Sequence, residues 1–249
     1  MDIDEIFRFD NALSGIIDAD YMNVWHTLER VETFARLSYQ MVYVVDFCKK
    51  DILCAYGDFS HLCGMSCEDV MKLGLDLYVN HVPHEELVLL EKLNCMVSSF
   101  FETLPEADLT QYTIFCDFHF RNGNRCHLVN HQVTPLAIRN GKPWIVMCAL
   151  SLPSNKSIGN LCVKKYGVRT IYKCPNGSLL WEKQDVPPLK DIERDIIVLS
   201  AQGKTMREIA KELGRSEDTI KACKRELFKK LETSNMVQTV QFVMNYKLM

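Results

Sequence analysis

The sequence predicts an α+β protein in which an antiparallel sheet with helices is followed by an all-α domain of four helices. Residues 40–152 contain strand-like runs separated by turn residues, whereas residues 188–249 carry apolar side chains at helical spacing. Pro187 and Pro188 cannot both lie inside a helix, so they indicate a boundary between the two parts.

Length and composition indicate a folded protein. The 249 residues suffice for two domains, and a content of 47% hydrophobic and 24% charged residues is typical of globular chains. No apolar run reaches the roughly 18 residues of a membrane-spanning helix, and the acidic start MDIDEIFRFD does not resemble a secretion signal, so we expect a cytoplasmic protein. Eleven cysteines scattered through apolar stretches indicate buried thiols rather than disulfides.

The strand pattern of residues 40–152 has a defined order. The runs MVYVVDF and DILCAYG predict two strands, and the segment from His61 to Phe101 predicts helices. Three further strand runs follow, separated by the turns RNGN and RNGK, and they predict an antiparallel meander.

Two flanking segments complete the N-terminal part. Within residues 1–39, apolar side chains at helical spacing predict a helix that either pairs two subunits or covers its own sheet. Residues 153–187 form a connector, in which alternation and the turn PNGS predict a hairpin from Leu161 to Lys183.

The last domain, residues 188–249, contains two helices that meet at a very short turn. Thr205 and Glu208 have the spacing of a capping box, and this helix ends at Gly214. Only Arg215 separates that glycine from Ser216, a good N-cap for the next helix. This is the arrangement of a helix-turn-helix, whose second helix enters the major groove of DNA.

The second of these helices has an apolar stripe and a basic face. We predict that Lys221 and Arg225 reach base edges, that the small Ala222 permits close approach, and that lysines near the end contact phosphate. The predicted DNA-binding residues are Ser216, Asp218, Thr219, Lys221, Ala222, Lys224, Arg225, Lys229 and Lys230. From Leu189 onward the chain has 12 basic and 9 acidic residues, against 17 and 23 in the rest, which favours a nucleic-acid contact at this end.

The stretch that contains these helices, from Leu189 to Ser234, resembles the DNA-binding domain of LuxR-type transcription regulators. The matching features are Glu193, Gly203, the EIA of Glu208–Ala210, Leu213, Ser216, the TIK of Thr219–Lys221 and the final KKL. The chain departs from the family at Cys223, Glu232 and Met236, where the family usually has histidine, glycine and arginine.

The resemblance also implies a fourth helix that commonly pairs two subunits. Ser234 is the predicted cap of this helix. Its apolar strip consists of Met236, Val237, Val240, Val243 and Met244. The resemblance therefore implies a homodimer bound to double-stranded DNA, with RNA polymerase as a candidate partner.

The order of two strands, several short helices and three strands resembles that of a PAS sensor domain. The resemblance implies a pocket between sheet and helices that holds a haem, a flavin, a small metabolite or nothing, so the ligand stays open and no cofactor is predicted. Flavin photosensors that form a cysteine adduct carry the cysteine in the sequence Asn-Cys-Arg-Phe, and this motif does not occur here. His81 and His84 stand where some members bind haem, but Pro83 at a helix start explains this stretch more simply.

Other function classes find less support in the sequence. We see no phosphate loop, nucleophile elbow or zinc-protease motif, and His61, Cys63 and Cys67 lack a second cluster at zinc spacing, so we predict neither an enzyme nor a metal site. Two alternatives stay open for the helix-turn-helix: a sigma-factor-like contact with polymerase, and a protein-interaction module. The sequence predicts a transcription regulator that senses a signal or dimerises through its PAS-like domain.

Overall fold

The computed structural model describes residues 3–7, 13, 15–38, 40–175 and 180–249. Its eight strands are β1 Met41–Asp46, β2 Asp51–Tyr56, β3 Tyr112–Asn122, β4 Arg125–Arg139, β5 Lys142–Ser151, β6 Gly159–Lys165, β7 Thr170–Lys173 and β8 Glu182–Asp185. They form one antiparallel sheet in the order β2-β1-β5-β4-β3-β6-β7-β8. The predicted α+β class is confirmed.

Ten α-helices and a 3₁₀ helix at Glu106–Gln111 accompany the sheet in the described part of the chain. The α-helices are α1 Ile3–Phe7, α2 Asp18–Leu37, α3 Ser60–Cys63, α4 Cys67–Leu73, α5 Asp76–His81, α6 His84–Glu102, α7 Asp191–Ala201, α8 Met206–Glu212, α9 Glu217–Leu231 and α10 Met236–Asn245. None of these described helices is both long enough and apolar enough to cross a membrane.

The first five strands and helices α3–α6 appear in the order expected of a PAS-like sensor. Helices α3–α6 cover one face of the sheet, the inner face, and enclose the largest apolar core with it. The β4–β5 connection has positive φ at both Asn140 and Gly141, as a two-residue type I′ turn requires.

The connector contains the predicted hairpin and one more strand. Strands β7 and β8 pair antiparallel on either side of PNGS, as predicted, whereas β6 pairs with both β3 and β7, so residues 159–185 extend the sheet of the first five strands. The predicted turn PNGS falls between β7 and β8, and its residues 176–178 lie outside the described residues. Local alternation predicts strands but does not tell which edge of a sheet they join.

The opposite face of the sheet, the outer face, is covered in part by α2. Val24, Leu28 and Val31 pack against β1 and β5, and the Tyr21 hydroxyl donates a hydrogen bond to the buried Asp46 carboxylate at 2.7 Å. The helix thus covers its own sheet, one of the two alternatives left by the sequence. Met22 and Trp25, on its other side, remain more than half exposed.

The C-terminal helices have a small core of their own. Ile196, Leu199, Ile209, Ala210 and Ile220 bring α7, α8 and α9 together. The fourth helix, α10, begins one residue later than predicted. Its N-cap is Asn235, whose side-chain oxygen accepts a hydrogen bond from the backbone NH of Gln238 at 3.0 Å, whereas the Ser234 hydroxyl binds the Gln238 side chain.

A polar cluster lies inside the apolar core of the sensor. The hydroxyls of Tyr43 and Tyr78 are 2.6 Å apart, and both lie near Nε2 of His131, at 3.0 and 3.3 Å. Burial lowers the pKa of His131 to about 3, so the ring is neutral. We assign its proton to Nδ1, which faces Cys116, because Nε2 must accept a hydroxyl proton.

Burial of this ring predicts a pH-dependent stability. The unfolded chain protonates His131 near pH 6.5, whereas the folded chain does so only near pH 3. Between these values the unfolded state binds one more proton, so the free energy of unfolding falls as pH falls, by up to about 1.4 kcal/mol per pH unit. Urea denaturation from pH 7 to 5 should show this slope in the wild type and a shallower slope in His131→Gln. Equal slopes would contradict the assignment of a neutral, buried ring.

Candidate DNA interface and sensor cavity

Helices α8 and α9 meet at the short turn that the sequence predicts. Thr205 caps α8 in a reciprocal capping box with Glu208, and Ser216 caps α9 by accepting from the backbone NH of Thr219 at 3.2 Å. Gly214 between them has a φ of +59°, a conformation that costs glycine little. These local interactions set the angle at which α9 leaves the turn.

The first half of α9 presents its polar side chains to solvent. Six predicted contacts in this half are exposed: Ser216, Asp218, Thr219, Lys221, Ala222 and Arg225. Lys229, one turn after Arg225, is exposed as well. Lys224 is half-buried, and burial lowers the pKa of its ammonium, as expected for a lysine that extends past an apolar stripe.

Lys230 has a structural partner instead of a free approach to phosphate. Its ammonium donates to the carboxylate of Glu193 at 2.6 Å and to the carbonyl of Pro188 at 3.1 Å, and its side chain is only 17% exposed. Glu193 is buried, so losing this cation would leave a buried carboxylate without its main counter-charge. The structure therefore corrects the prediction for Lys230: the residue joins the end of α9 to the start of α7.

A second basic group lies beside the recognition helix. Arg207, Lys211 and Arg215 are exposed on α8 and the turn after it. In a helix-turn-helix the first helix crosses the DNA backbone, so these side chains are candidates for phosphate contacts. This basic group could have been found in the sequence, because its three residues are spaced four apart and residues at that spacing lie on one side of a helix.

The helix-turn-helix domain docks on the outer face of the sensor sheet. Side chains of β3, β6 and β7 share one apolar cluster with the second half of α9 and with α10. The members from the sheet are Phe115, Cys162 and Ile171, and those from the helices include Leu227, Leu231, Phe242, Val243 and Tyr246. The rings of Phe115 and Tyr246 lie 4.8 Å apart. We call this contact the docking face.

Glu232 links the end of α9 to the same sheet. Its carboxylate accepts from Lys173 of β7 at 2.8 Å and from Gln184 of β8 at 3.1 Å, and the hydrogen bond from Lys173 holds its pKa below the ordinary value. Its backbone is left-handed, with a φ of 55°. Glycine adopts this conformation at the lowest cost and is the residue that the family usually has here. Glutamate strains the backbone at this position, but its side chain gains a contact with the sensor.

Polar groups also cross the docking face. Asn245 of α10 accepts from the Ser151 hydroxyl at 3.1 Å and donates to the carbonyl of Leu152 at 3.1 Å. Ser151 in turn accepts from Gln132 of β4, which also donates to Asn130. A continuous row of hydrogen bonds therefore joins the central strand β4 to the last helix.

The row ends at a buried carboxylate in β3. Asp117 accepts hydrogen bonds from the side-chain amides of Asn130, Asn155 and Asn160 at 2.8–3.1 Å. Burial raises its pKa, although the three amide donors partly offset that effect.

The inner face of the sheet borders a cavity of about 190 Å³. Apolar side chains of α6 and of β3, β4 and β5 form most of its wall, including Leu90, Leu93, Ile114, Val133 and Val146. Phe7 of α1 also lines it, and its ring lies 5.1 Å from that of Tyr78. The cavity lies between the sheet and the helices, where the PAS resemblance places a pocket.

Polar groups occupy two ends of this cavity. Tyr78 and His131 form one end, together with the thiols of Cys116 and Cys148. At the other end, Lys142 donates to Glu102 at 2.5 Å and to Ser98 at 3.3 Å. The sequence pattern did not distinguish His131 from the other strand histidines, because alternation alone does not identify the cavity face.

The remaining histidines have other surroundings. His119 contacts Glu86 at 2.7 Å, and His81 donates from Nδ1 to the carbonyl of Arg121 at 3.0 Å. His61 and His127 place their rings 4.8 Å apart. Within the described residues, no group of three or more His, Cys, Asp or Glu side chains could hold a metal ion.

The comparisons with known proteins agree with the helix-turn-helix geometry. Residues 188–243 match the family model described as bacterial regulatory proteins, luxR family. No curated protein matches the chain. Among solved structures, a phage VqmA–DPO complex is 17% identical over 88% of this chain and 87% of its own, with a TM-score of 0.30.

Two structures from Vibrio cholerae are similar to the same degree. A VqmA–ligand–DNA complex is 16% identical over 88% of this chain and 87% of its own. A VqmA dimer without target DNA is 16% identical over 89% of this chain and 88% of its own. Both structures have a TM-score of 0.33. Such low scores carry no argument, and the assignment rests on the family match over residues 188–243. Residues 188–243 of the chain are thus identified as a DNA-binding domain of the LuxR type.

Proposed function

We propose that this protein is a sequence-specific transcription regulator, acting in the cytoplasm as a homodimer, whose PAS-like domain binds a small uncharged molecule. The exposed first half of α9 carries the proposal: Lys221, Ala222 and Arg225 stand together at the end of the recognition helix that enters a groove first. Lys224, Lys229 and the basic group on α8 supply charges for the phosphates on either side.

A face of α10 supports the dimer. Val237 and Met244 are 80% and 66% exposed, and they lie two turns apart on one side of the helix, with the half-buried Val240 between them. Val243 of the predicted strip faces inward instead and belongs to the docking face. Two copies that pair through the exposed side would present two recognition helices to a two-fold symmetric site.

The volume and polarity of the cavity define the class of ligand. An apolar cavity of about 150 Å³ holds one benzene ring. A cavity of about 190 Å³ therefore suits a single ring with small substituents and is too small for a haem or a flavin. His131 is neutral and the Lys142 ammonium pairs with Glu102, so neither polar end offers an unbalanced charge to an ionic ligand.

Selection of bound fragments from a genomic DNA library at moderate salt tests the DNA-binding proposal. We expect the wild type to enrich a two-fold symmetric motif with half-sites about 10 bp apart, and Lys221→Ala with Arg225→Ala to abolish that enrichment. Arg225→Ala alone should cost on the order of 1–3 kcal/mol on the preferred site if it contacts a base. An equal loss on every sequence would make Arg225 a phosphate contact.

The matched control removes the same charge elsewhere. Lys72→Ala with Lys92→Ala changes two exposed lysines on α4 and α6 and should leave the selected motif unchanged. If the wild type enriches no motif, either a missing ligand holds the protein in a form that does not bind DNA, or the helix-turn-helix serves as a protein-interaction module. Enrichment of a motif without two-fold symmetry would contradict the homodimer.

Binding of simple aromatic probes tests the sensor proposal. We expect phenol to raise the midpoint of thermal unfolding, and benzoate, a charged molecule of similar shape, to leave it unchanged. Tyr78→Phe removes one hydrogen-bonding group from the cavity and should weaken phenol binding about 2- to 12-fold, the equivalent of about 0.5–1.5 kcal/mol. Tyr166→Phe, at an exposed tyrosine outside the cavity, is the control. Preference for benzoate would overturn the uncharged class.

A further inference from the structure

Strands β3 and β4 carry the cavity wall and the docking face on consecutive residues. On β4, His131 faces the cavity, whereas Asn130 and Gln132 on either side belong to the outer-face hydrogen bonds. On β3, Cys116 faces the cavity and its neighbour Phe115 contacts Tyr246. Side chains alternate between the faces of a strand, so each pair shares one short piece of backbone.

The two strands are also in register at this point. Cys116 lies opposite His131, Phe115 opposite Gln132, and Asp117 opposite Asn130. A shift of His131 therefore moves the backbone that holds Asn130 and Gln132. Because Gln132 donates to Ser151 and Ser151 donates to Asn245, the displacement is passed on to α10. The β3–β4 pairing is regular through both triplets, so a displacement of one is passed to the other, whereas the β3–β6 register shifts between Phe115 and Asp117 and leaves β3 room to move on that side.

We propose that residues 115–117 of β3 and 130–132 of β4 couple the sensor cavity to the docking of the DNA-binding domain. A change at the cavity wall alters the outer-face contacts to Tyr246 and Asn245 and so changes the fraction of molecules in which the domain is docked. The coupling rests on the proposed sensor function for its biological meaning, but its physical test requires neither the natural ligand nor DNA.

Cys162 is a built-in reporter of docking. Its side chain is buried on the outer face of β6, within the apolar cluster that contains Tyr246. Burial raises the pKa of its thiol to about 12, so the docked molecule reacts slowly with alkylating reagents. Cys63, buried in the inner-face core, reports opening of the whole sensor domain instead.

Alkylation by iodoacetamide, measured for each cysteine by peptide mass spectrometry, tests the coupling in the full chain. We expect His131→Leu to raise the Cys162 rate about tenfold relative to the Cys63 rate, within the usual range of coupling between sites. Leu93→Ala changes the same cavity from α6, away from both strands, and should leave that ratio unchanged. An unchanged ratio in His131→Leu, or an equal rise in both variants, would overturn the proposal.

Reciprocity supplies a second measurement that does not depend on the folding of His131→Leu. If docking and the cavity are coupled, a mutation that weakens docking must also change the affinity of the cavity for its ligand. Asn245→Ala should therefore shift phenol affinity at least about fivefold, whereas Gln202→Ala, which removes an exposed amide at the end of α7 in the same domain, should not. Equal phenol affinity in the wild type and both variants would contradict the coupling. If phenol does not bind at all, the ligand class fails, and the alkylation ratio still decides the coupling.

Discussion

The sheet has apolar side chains on both faces, and most of the structure follows from the need to cover both. Helices α3–α6 cover the inner face and leave a small cavity against the central strands. On the outer face, α2 covers one part and the DNA-binding domain covers another. Because apolar surface left in water is costly, docking of the C-terminal domain follows from the same hydrophobic effect that stabilises the sensor core.

Much of the fold could be predicted from local patterns. The strands of the meander, the capping box of Thr205 and the N-cap Ser216 depend on residues within a few positions of one another, and the structure has each of them. The exposed first half of α9 is equally local, because helical periodicity decides which side faces solvent.

The features that sequence reasoning missed depend on partners far along the chain. Lys230 meets Glu193 across 37 positions, and Lys173 meets Glu232 across 59. The sequence predicted a hairpin in this segment but not the pairing of β6 with β3, because no local pattern identifies β3 as its partner. Likewise, alternation along β4 predicts two faces but not that His131 faces a cavity and Gln132 a second domain.

A zero-length carbodiimide cross-link between Lys173 and Glu232 tests the docking most directly. The two groups are 2.8 Å apart across the domain contact, and Lys165 and Asp108, 2.9 Å apart within the N-terminal part, provide an internal standard at a similar distance. If the DNA-binding domain docks on the outer face, mass spectrometry will find both cross-linked pairs in the monomeric species, and the inter-domain pair will decline in His131→Leu. Detection of the Lys165–Asp108 pair without the Lys173–Glu232 pair would contradict the docked arrangement on which the account depends.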